Sequence, residues 1–165
     1  MAVRTVLGQQ ITVRAASTLA ARLATAYGKP IETGIDGLCR LFPTPADIAA
    51  LGPDIETQLG QLGVIAARSR TIYALALALM RGEIVLGPCA QPQKEMQKLL
   101  QIRGIGSWSA QYMAMRAMQW PDAFLETDAG VKKALALRSP GDALALAEKW
   151  RPWRSYATVS LWNAL

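Results

Sequence analysis

Two helical segments joined by a short glycine-containing turn place the strongest constraint on the fold of this chain. Residues 92–100 and 107–118 each have the composition and punctuation of a helix, and the turn between them holds Gly104 and Gly106. Both glycines can adopt a positive φ and allow a close backbone approach, and Ser107 can cap the second helix. The sequence therefore predicts a helical hairpin over about residues 93–118.

Such a turn can bind phosphate, because the second helix presents unpaired backbone N–H groups at its start. This contact holds a nucleic-acid backbone without reading the base sequence. The alternative is that the turn only joins two packed helices. Apolar residues around the turn and the basic character of the chain favour DNA binding. The candidate contact residues are Arg103, Gly104, Ile105, Gly106 and Ser107.

The rest of the chain repeats the same helical punctuation, with caps, prolines and glycines at segment ends and no sustained alternation typical of strands. We therefore predict an all-α fold forming one domain over residues 1–165, without internal repeats. The further predicted helices are Thr12 to Tyr27 with Gly28 after its end, Thr44 to Leu51, Pro53 to Gly63, Ile65 to Arg81, a short helix after Asp128, Pro140 to Trp150, and a last one from Pro152.

Composition excludes several kinds of chemistry. The chain has no histidine, which removes imidazole bases, histidine-dependent triads and the common histidine metal sites. Its two cysteines, Cys39 and Cys89, stand far apart, so we expect no metal, iron–sulfur cluster or other cofactor. We also expect no membrane segment and a cytoplasmic location. The net charge of +6 favours a polyanionic partner.

Five segments together resemble the helix-hairpin-helix DNA glycosylase superfamily, in its DNA-3-methyladenine glycosylase II (AlkA-like) branch. The resemblance implies a helical body without the usual N-terminal β-rich region, so that the chain is a fragment or shortened form whose partner can be a missing N-terminal domain. It leaves the oligomeric state open. The segments are Val6 to Gln10, Leu41 to Pro45, the hairpin, Phe124 to Asp128, and Trp150 to Ala157.

The resemblance implies that Asp128 is the catalytic carboxylate, because it matches the aspartate that follows the hairpin in this superfamily. In that role it faces the sugar of an extruded nucleotide and stabilises positive charge there, or orients water. Read from chemistry alone, Asp128 is an N-cap, and both roles can coexist. Asp122 and Glu126 fall outside the matched position.

The resemblance also implies a base pocket walled by Trp108, Tyr112 and Trp162. Trp108 and Tyr112 lie one helical turn apart, so their rings share a face. Core packing is the alternative for each aromatic residue, and we keep it for Trp150, Trp153 and Tyr156. Bifunctional members of the superfamily have a lysine at the position of Trp108, so we expect a monofunctional enzyme.

Departures from the family pattern concern DNA contacts and pocket shape. Gln9 and Gln10 are candidate DNA contacts, and Gln10 replaces a leucine that fills the gap left by the extruded base. Arg103 stands where a proline is common and either contacts phosphate or stays a solvated charge. Gly130 replaces a larger residue, which implies a roomier or differently shaped cleft.

The resemblance thus implies a monofunctional glycosylase that excises alkylated bases, such as 3-methyladenine and 7-methylguanine, from double-stranded DNA in base excision repair. Two alternatives stay open at this point. The first is a non-catalytic helix-hairpin-helix module that only binds DNA. The second is a helical interaction domain with no nucleic-acid role.

Overall fold

The computed structural model describes residues 1–88, 90–136 and 140–165, so Cys89 lies outside it. Ten α-helices occur in this part of the chain, and the only β-type pairing there is an isolated bridge between Pro30 and Arg40. The all-α prediction is therefore confirmed. The chain divides into two compact units, which we call the N-terminal unit, Ala2–Val85 with Gln101–Ile105, and the C-terminal unit, Leu86–Leu100 and Gly106–Leu165 with Met1.

The N-terminal unit is organised around helix α5, which packs against α1, α3 and α4. Ile72 and Leu75 of α5 are fully buried, and this burial stabilises a helix whose apolar residues do not follow a single stripe. Helix α2 packs against α1. The helices are α1 Ala2–Leu7, α2 Val13–Tyr27, α3 Pro45–Ala49, α4 Ile55–Gly60 after a 3-10 turn at Gly52–Asp54, and α5 Ala66–Met80.

Local caps set the ends of several of these helices. Thr12 accepts a hydrogen bond from the backbone N–H of Ala15 at the start of α2. Thr44 and Asp47 form a reciprocal capping box at the start of α3, as their spacing predicts. Gly28 ends α2 with φ −80° rather than a left-handed conformation, and a Cβ there would overlap the carbonyl oxygens of Ala24 and Leu41.

The C-terminal unit has a core in which α8 packs against both α9 and α10. Phe124 and Val131 are buried at its centre, with Trp150 and Leu161 against them. This packing brings the start of α8 beside α10. The helices are α6 Pro92–Gln101, α7 Ser107–Arg116, α8 Ala129–Leu135, α9 Pro140–Ala147 before a 3-10 turn at Glu148–Trp150, and α10 Arg154–Asn163.

Candidate active site

Asp128 precedes α8 as its N-cap, with extended backbone angles of φ −64° and ψ 134°. Its Oδ1 accepts a hydrogen bond of 3.0 Å from the backbone N–H of Val131. This bond satisfies one of the free N–H groups of the first helical turn. The capping role expected from local chemistry is therefore confirmed, and it fixes the position of the carboxylate.

Two tryptophan side chains also donate to this carboxylate. Trp108, on α7, donates its Nε1–H to Oδ2 of Asp128, with 3.0 Å between nitrogen and oxygen. Trp162, on α10, donates its Nε1–H to Oδ1, with 2.8 Å between nitrogen and oxygen. All three partners of Asp128 are donors, which suits an ionised carboxylate that can only accept. Oδ1 receives two of these bonds and Oδ2 one, so more acceptor capacity is left on Oδ2.

The three predicted pocket aromatics lie together beside Asp128. The rings of Trp108 and Tyr112 stack with centroids 5.0 Å apart and an angle of 8° between planes. Tyr112 and Trp162 are 6.3 Å apart and tilted by 47°. A planar base needs roughly 3.5 Å on each of its faces, so it cannot fit between Trp108 and Tyr112 as they stand. A base bound at this site must therefore contact these rings from outside the stacked pair.

Gly130 determines how closely Trp162 approaches the carboxylate. A Cβ at Gly130 would lie 2.9 Å from Cδ1 of Trp162 and 3.1 Å from Oδ1 of Asp128. The space released by the absent side chain is therefore filled by the indole of Trp162. Of the two expectations for Gly130, the structure corresponds to a differently shaped site and not to a roomier one at this point.

Helix α10, which carries Trp162, is anchored by a buried ion pair. Arg154 is only 6% exposed and binds Asp122 through Nε–Oδ1 at 2.7 Å and Nη2–Oδ2 at 2.9 Å. The hydroxyl of Ser155 donates to the carbonyl of Trp120 at 2.7 Å. Both carboxylate oxygens of Asp122 are thus bound by arginine.

The hairpin turn differs from expectation at its second glycine. Gly104 has φ +95°, and a Cβ there would overlap the hydroxyl of Thr71. Gly106 instead has φ −96° and is itself the N-cap of α7, with no side-chain cap. The prediction that Ser107 caps α7 is therefore wrong, because Ser107 is already the first helical residue. The uncapped helix start leaves N–H groups available to an anion.

The remaining predicted DNA-contact residues lie in the N-terminal unit. The side-chain amide of Gln9 donates to the carbonyl of Gly104 at 2.9 Å, and Gln10 is exposed with φ +53°. Arg103 is exposed, whereas Ile105 is buried and its N–H donates to Ile102. Ile105 therefore packs in the core and offers no free donor.

Core packing was expected for Trp150, Trp153 and Tyr156, and it holds only for Trp150. Trp150 packs against the buried Phe124, with ring centroids 6.0 Å apart. Trp153 and Tyr156 are 58% and 64% exposed and contact each other edge to face at 5.8 Å. The core prediction is therefore wrong for Trp153 and Tyr156, because they lie at the outer face of the first turn of α10.

Three contacts that shape these regions were not anticipated from the sequence. They are the bond between Thr71 and the carbonyl of Arg103 at 2.8 Å, the bond between Arg68 and the carbonyl of Gln9, and the Asp122–Arg154 pair. Each joins residues distant in the chain, so no local pattern indicates it.

Among the described residues, no group of three or more His, Cys, Asp or Glu side chains could hold a metal ion, and no helix is long and apolar enough to cross a membrane.

Comparison with protein families gives a match over most of the chain. A family model described as HhH-GPD superfamily base excision DNA repair protein matches residues 3–141. The chain is 41% identical, over 99% of its length, to a Mycobacterium tuberculosis protein named Probable bifunctional transcriptional activator/DNA repair enzyme AlkA, of which it covers 33%. It is 35% identical, over 97% of its length, to DNA-3-methyladenine glycosylase 2 of Escherichia coli, of which it covers 55%.

Solved structures share the same fold. A 3-methyladenine DNA glycosylase from Archaeoglobus fulgidus aligns with 98% of this chain and 56% of its own, at a TM-score of 0.81 and 20% identity. The Schizosaccharomyces pombe 3-methyladenine DNA glycosylase Mag1, in complex with abasic DNA, aligns with 98% of this chain and 77% of its own, at a TM-score of 0.79 and 22% identity. At these identities the likeness concerns the fold.

Proposed function

Because the chain belongs to the HhH-GPD superfamily of base excision DNA repair proteins, in its AlkA-like branch, we propose that it is a monofunctional glycosylase domain for alkylated bases. Its substrate is duplex DNA that contains bases such as 3-methyladenine or 7-methylguanine. It hydrolyses the N-glycosidic bond and leaves an abasic site. Since its named relatives are bacterial proteins, we propose that it meets this substrate in the cytoplasm, where a bacterial chromosome lies.

The observation that carries the proposal is the position of Asp128 between the N–H groups of Trp108 and Trp162. These bonds and the cap to Val131 hold a negative charge in one orientation beside aromatic rings. A fixed charge of this kind stabilises the cation that develops on the deoxyribose without reorganisation during the reaction. Asp128 can also accept a proton from the water that captures this cation.

The reaction needs no covalent intermediate with the protein. The bond between C1′ of the sugar and the ring nitrogen breaks, and its electron pair leaves with the base. An alkylated base carries a positive charge, so it leaves as a neutral molecule. Water then adds its oxygen to C1′ and releases one proton. The side chain of Trp108, at the position where bifunctional relatives have lysine, offers no amine for a Schiff base.

The aromatic residues beside Asp128 favour cationic bases. The outer faces of the stacked Trp108 and Tyr112 rings present π-electron density, and a cation–π contact contributes about 1–2 kcal/mol when it is desolvated. An unmodified base lacks both this attraction and the weakened glycosidic bond. Selectivity for alkylated bases therefore follows partly from the pocket and partly from the lesion itself.

Contacts to the DNA backbone and stack complete the proposal. Arg103 provides an exposed cation, and the uncapped start of α7 at Gly106 and Ser107 provides backbone donors. Gly104, through its positive φ, sets the conformation of the turn that precedes these donors. Gln10, exposed at its loop, enters the gap left by the extruded base. Gln9 supports the turn through its bond to Gly104.

Incubation with methylated duplex DNA tests this function. Released bases are separated and measured, and the remaining strand is treated with alkali to reveal abasic sites. We expect release of 3-methyladenine and 7-methylguanine, strand breakage only after alkali, and no protein–DNA adduct after borohydride reduction. Duplex binding without any base release would favour the non-catalytic DNA-binding module instead. An adduct with borohydride would contradict the monofunctional mechanism.

A further inference from the structure

A groove in the N-terminal unit carries three arginines and lies apart in sequence from the hairpin turn. It has a volume of about 490 Å³ and runs beside the first half of α2. We call it the arginine groove. The residues that matter for its chemistry are Thr12, Arg14, Thr18, Arg22, Gly63 and Arg68.

The positive charge of this groove is not neutralised within the described chain. No carboxylate of a described residue forms an ion pair with Arg14, Arg22 or Arg68, whereas Arg70 pairs with Glu56 at 2.8 Å and Arg81 with Glu83 at 3.7 Å. Arg22 donates to the carbonyl of Leu62 at 3.0 Å. A carbonyl orients a guanidinium but does not cancel its charge. Most of the five N–H donors of the Arg22 guanidinium stay available.

The backbone around Arg22 is adapted to hold this charge. Gly63 has φ +91°, and a Cβ there would lie 3.2 Å from Nη1 of Arg22. The absent side chain therefore leaves the guanidinium its space at the groove wall. Thr12 and Thr18 line the same groove. The hydroxyl of Thr18 donates to the carbonyl of Arg14 at 3.0 Å, whereas that of Thr12 accepts from the N–H of Ala15 and can donate its own proton to a phosphate oxygen.

Arg14 occupies a position that helix stability alone disfavours. It lies in the first turn of α2, which contains no acidic residue, and the positive end of a helix dipole repels a cation there. Its side chain is exposed. A bound anion would reverse this unfavourable interaction, because it would lie between the guanidinium and the helix start.

A chain of hydrogen bonds connects the groove to both predicted DNA-contact loops of the unit. Arg68 donates to the carbonyl of Gln9, and Gln9 donates to the carbonyl of Gly104 at 2.9 Å. Thr71, one turn after Arg68 on α5, donates to the carbonyl of Arg103 at 2.8 Å. The groove, the Gln10 loop and residues 101–105 are thus parts of one bonded network.

We propose that the arginine groove binds phosphates of the duplex DNA backbone as a second contact in addition to the hairpin turn. This proposal rests on the proposed function, since it takes DNA as the ligand. Guanidinium groups bind phosphate in a forked geometry, and this groove gathers three of them with the hydroxyl of Thr12. The contact is independent of base sequence and positions the Gln10 loop against the duplex.

Binding of the chain to an undamaged duplex at several salt concentrations tests the proposal. The variants are Arg14→Ala and Arg14→Lys, with Arg70→Ala as a control that changes the net charge equally in the same unit. We expect Arg14→Ala to weaken binding roughly three- to tenfold and to reduce the slope of log K against log salt by about 1. Arg14→Lys and Arg70→Ala should keep the slope of the wild type.

Thermal unfolding excludes a folding defect, since Arg14→Ala removes an unfavourable charge and should be at least as stable as the wild type. Equal binding and slope for Arg14→Ala and Arg70→Ala would overturn the groove even if the wild type excises alkylated bases. If the wild type binds DNA through Arg14 but releases no base, the groove stands and the proposed glycosylase activity fails. A wild type that binds no duplex overturns both.

Discussion

The indole N–H of Trp162 donates to Oδ1 of Asp128 at 2.8 Å, across 34 residues of sequence. It joins the last helix of the chain to the carboxylate at the start of α8. The contact depends on the packing of α8 against α10. In the proposed mechanism Trp162 is therefore a positioning residue for Asp128 as well as a wall of the base pocket.

Replacing Trp162 with phenylalanine separates these two roles. Trp162→Phe keeps an aromatic ring but loses the N–H donor, so that Oδ1 of Asp128 is held only by the N–H of Val131. We expect this looser carboxylate to slow base release roughly tenfold. Because its acceptor is a carboxylate, the lost hydrogen bond should cost about 1.5–3 kcal/mol of folding free energy. Single-turnover base release and chemical denaturation measure the two effects. Trp153→Phe, at the exposed N-cap position of α10, is the control and should change neither the rate of base release nor the folding free energy. An unchanged rate of base release in Trp162→Phe would refute the positioning role.

Gly130 tests the same contact from the opposite side. Gly130→Ala places a methyl group 2.9 Å from Cδ1 of Trp162, so the indole must move away from Asp128. We expect a loss of about 1–3 kcal/mol in folding free energy and slower base release. Gly60→Ala is the matched control, because a Cβ at Gly60 meets nothing within 4 Å. Similar effects of the two substitutions would show that the Trp162 contact is not what requires glycine.

The two hairpin glycines should respond differently to alanine. Gly104→Ala forces a side chain into a residue with φ +95° and against Thr71, so we expect about 1–3 kcal/mol of lost stability. Gly106 has φ −96° and open space around its Cα. Gly106→Ala should therefore fold normally and weaken DNA binding, because the methyl group obstructs the backbone approach. Thermal unfolding and duplex binding, measured on both variants, check this; equal loss of stability would contradict it.

Acid should weaken the start of α3. Hydrogen bonds from the side chain and then the backbone of Thr44, with a smaller effect of Lys29, lower the pKa of Asp47 below its ordinary value of 3.8. Ionised Asp47 therefore stabilises the fold above that value, and the stabilisation is lost as the pH falls through the folded pKa. The Tm difference between wild type and Asp47→Ala should be constant near neutral pH. It should shrink towards zero in acid, where Asp47 is protonated. A difference that persists unchanged in strong acid would contradict this assignment, and Thr44→Val should reduce the same pH dependence.

Local features of the sequence determine the helix boundaries that were predicted well. Thr12 and the Thr44–Asp47 spacing begin their helices as expected, because a cap depends on neighbouring residues alone. Helix α1, six residues long, was not predicted. A helix this short is not stable by itself, and it depends on the burial of Val6 and Leu7 in the N-terminal unit.

The residues of the candidate site were predicted from a family pattern, while their contacts required the fold. Helical spacing placed Trp108 beside Tyr112, and the N-cap geometry of Asp128 followed from its position before α8. The bond from Trp162 to Asp128, and the reason for Gly130, depend on how α10 packs. No local rule contains this information, since residues 128 and 162 meet only through tertiary structure.

Release of 7-methylguanine from methylated duplex DNA under single-turnover conditions, with wild type and Asp128→Asn side by side, tests the central claim most directly. Asparagine can still accept the hydrogen bond from the N–H of Val131 that caps α8, so the variant should fold. Thermal unfolding and duplex binding are the controls that check this. Since it carries no charge, we predict that base release falls by about 100-fold or more while the duplex is still bound. Release by Asp128→Asn at the rate of the wild type would contradict the catalytic role of this carboxylate.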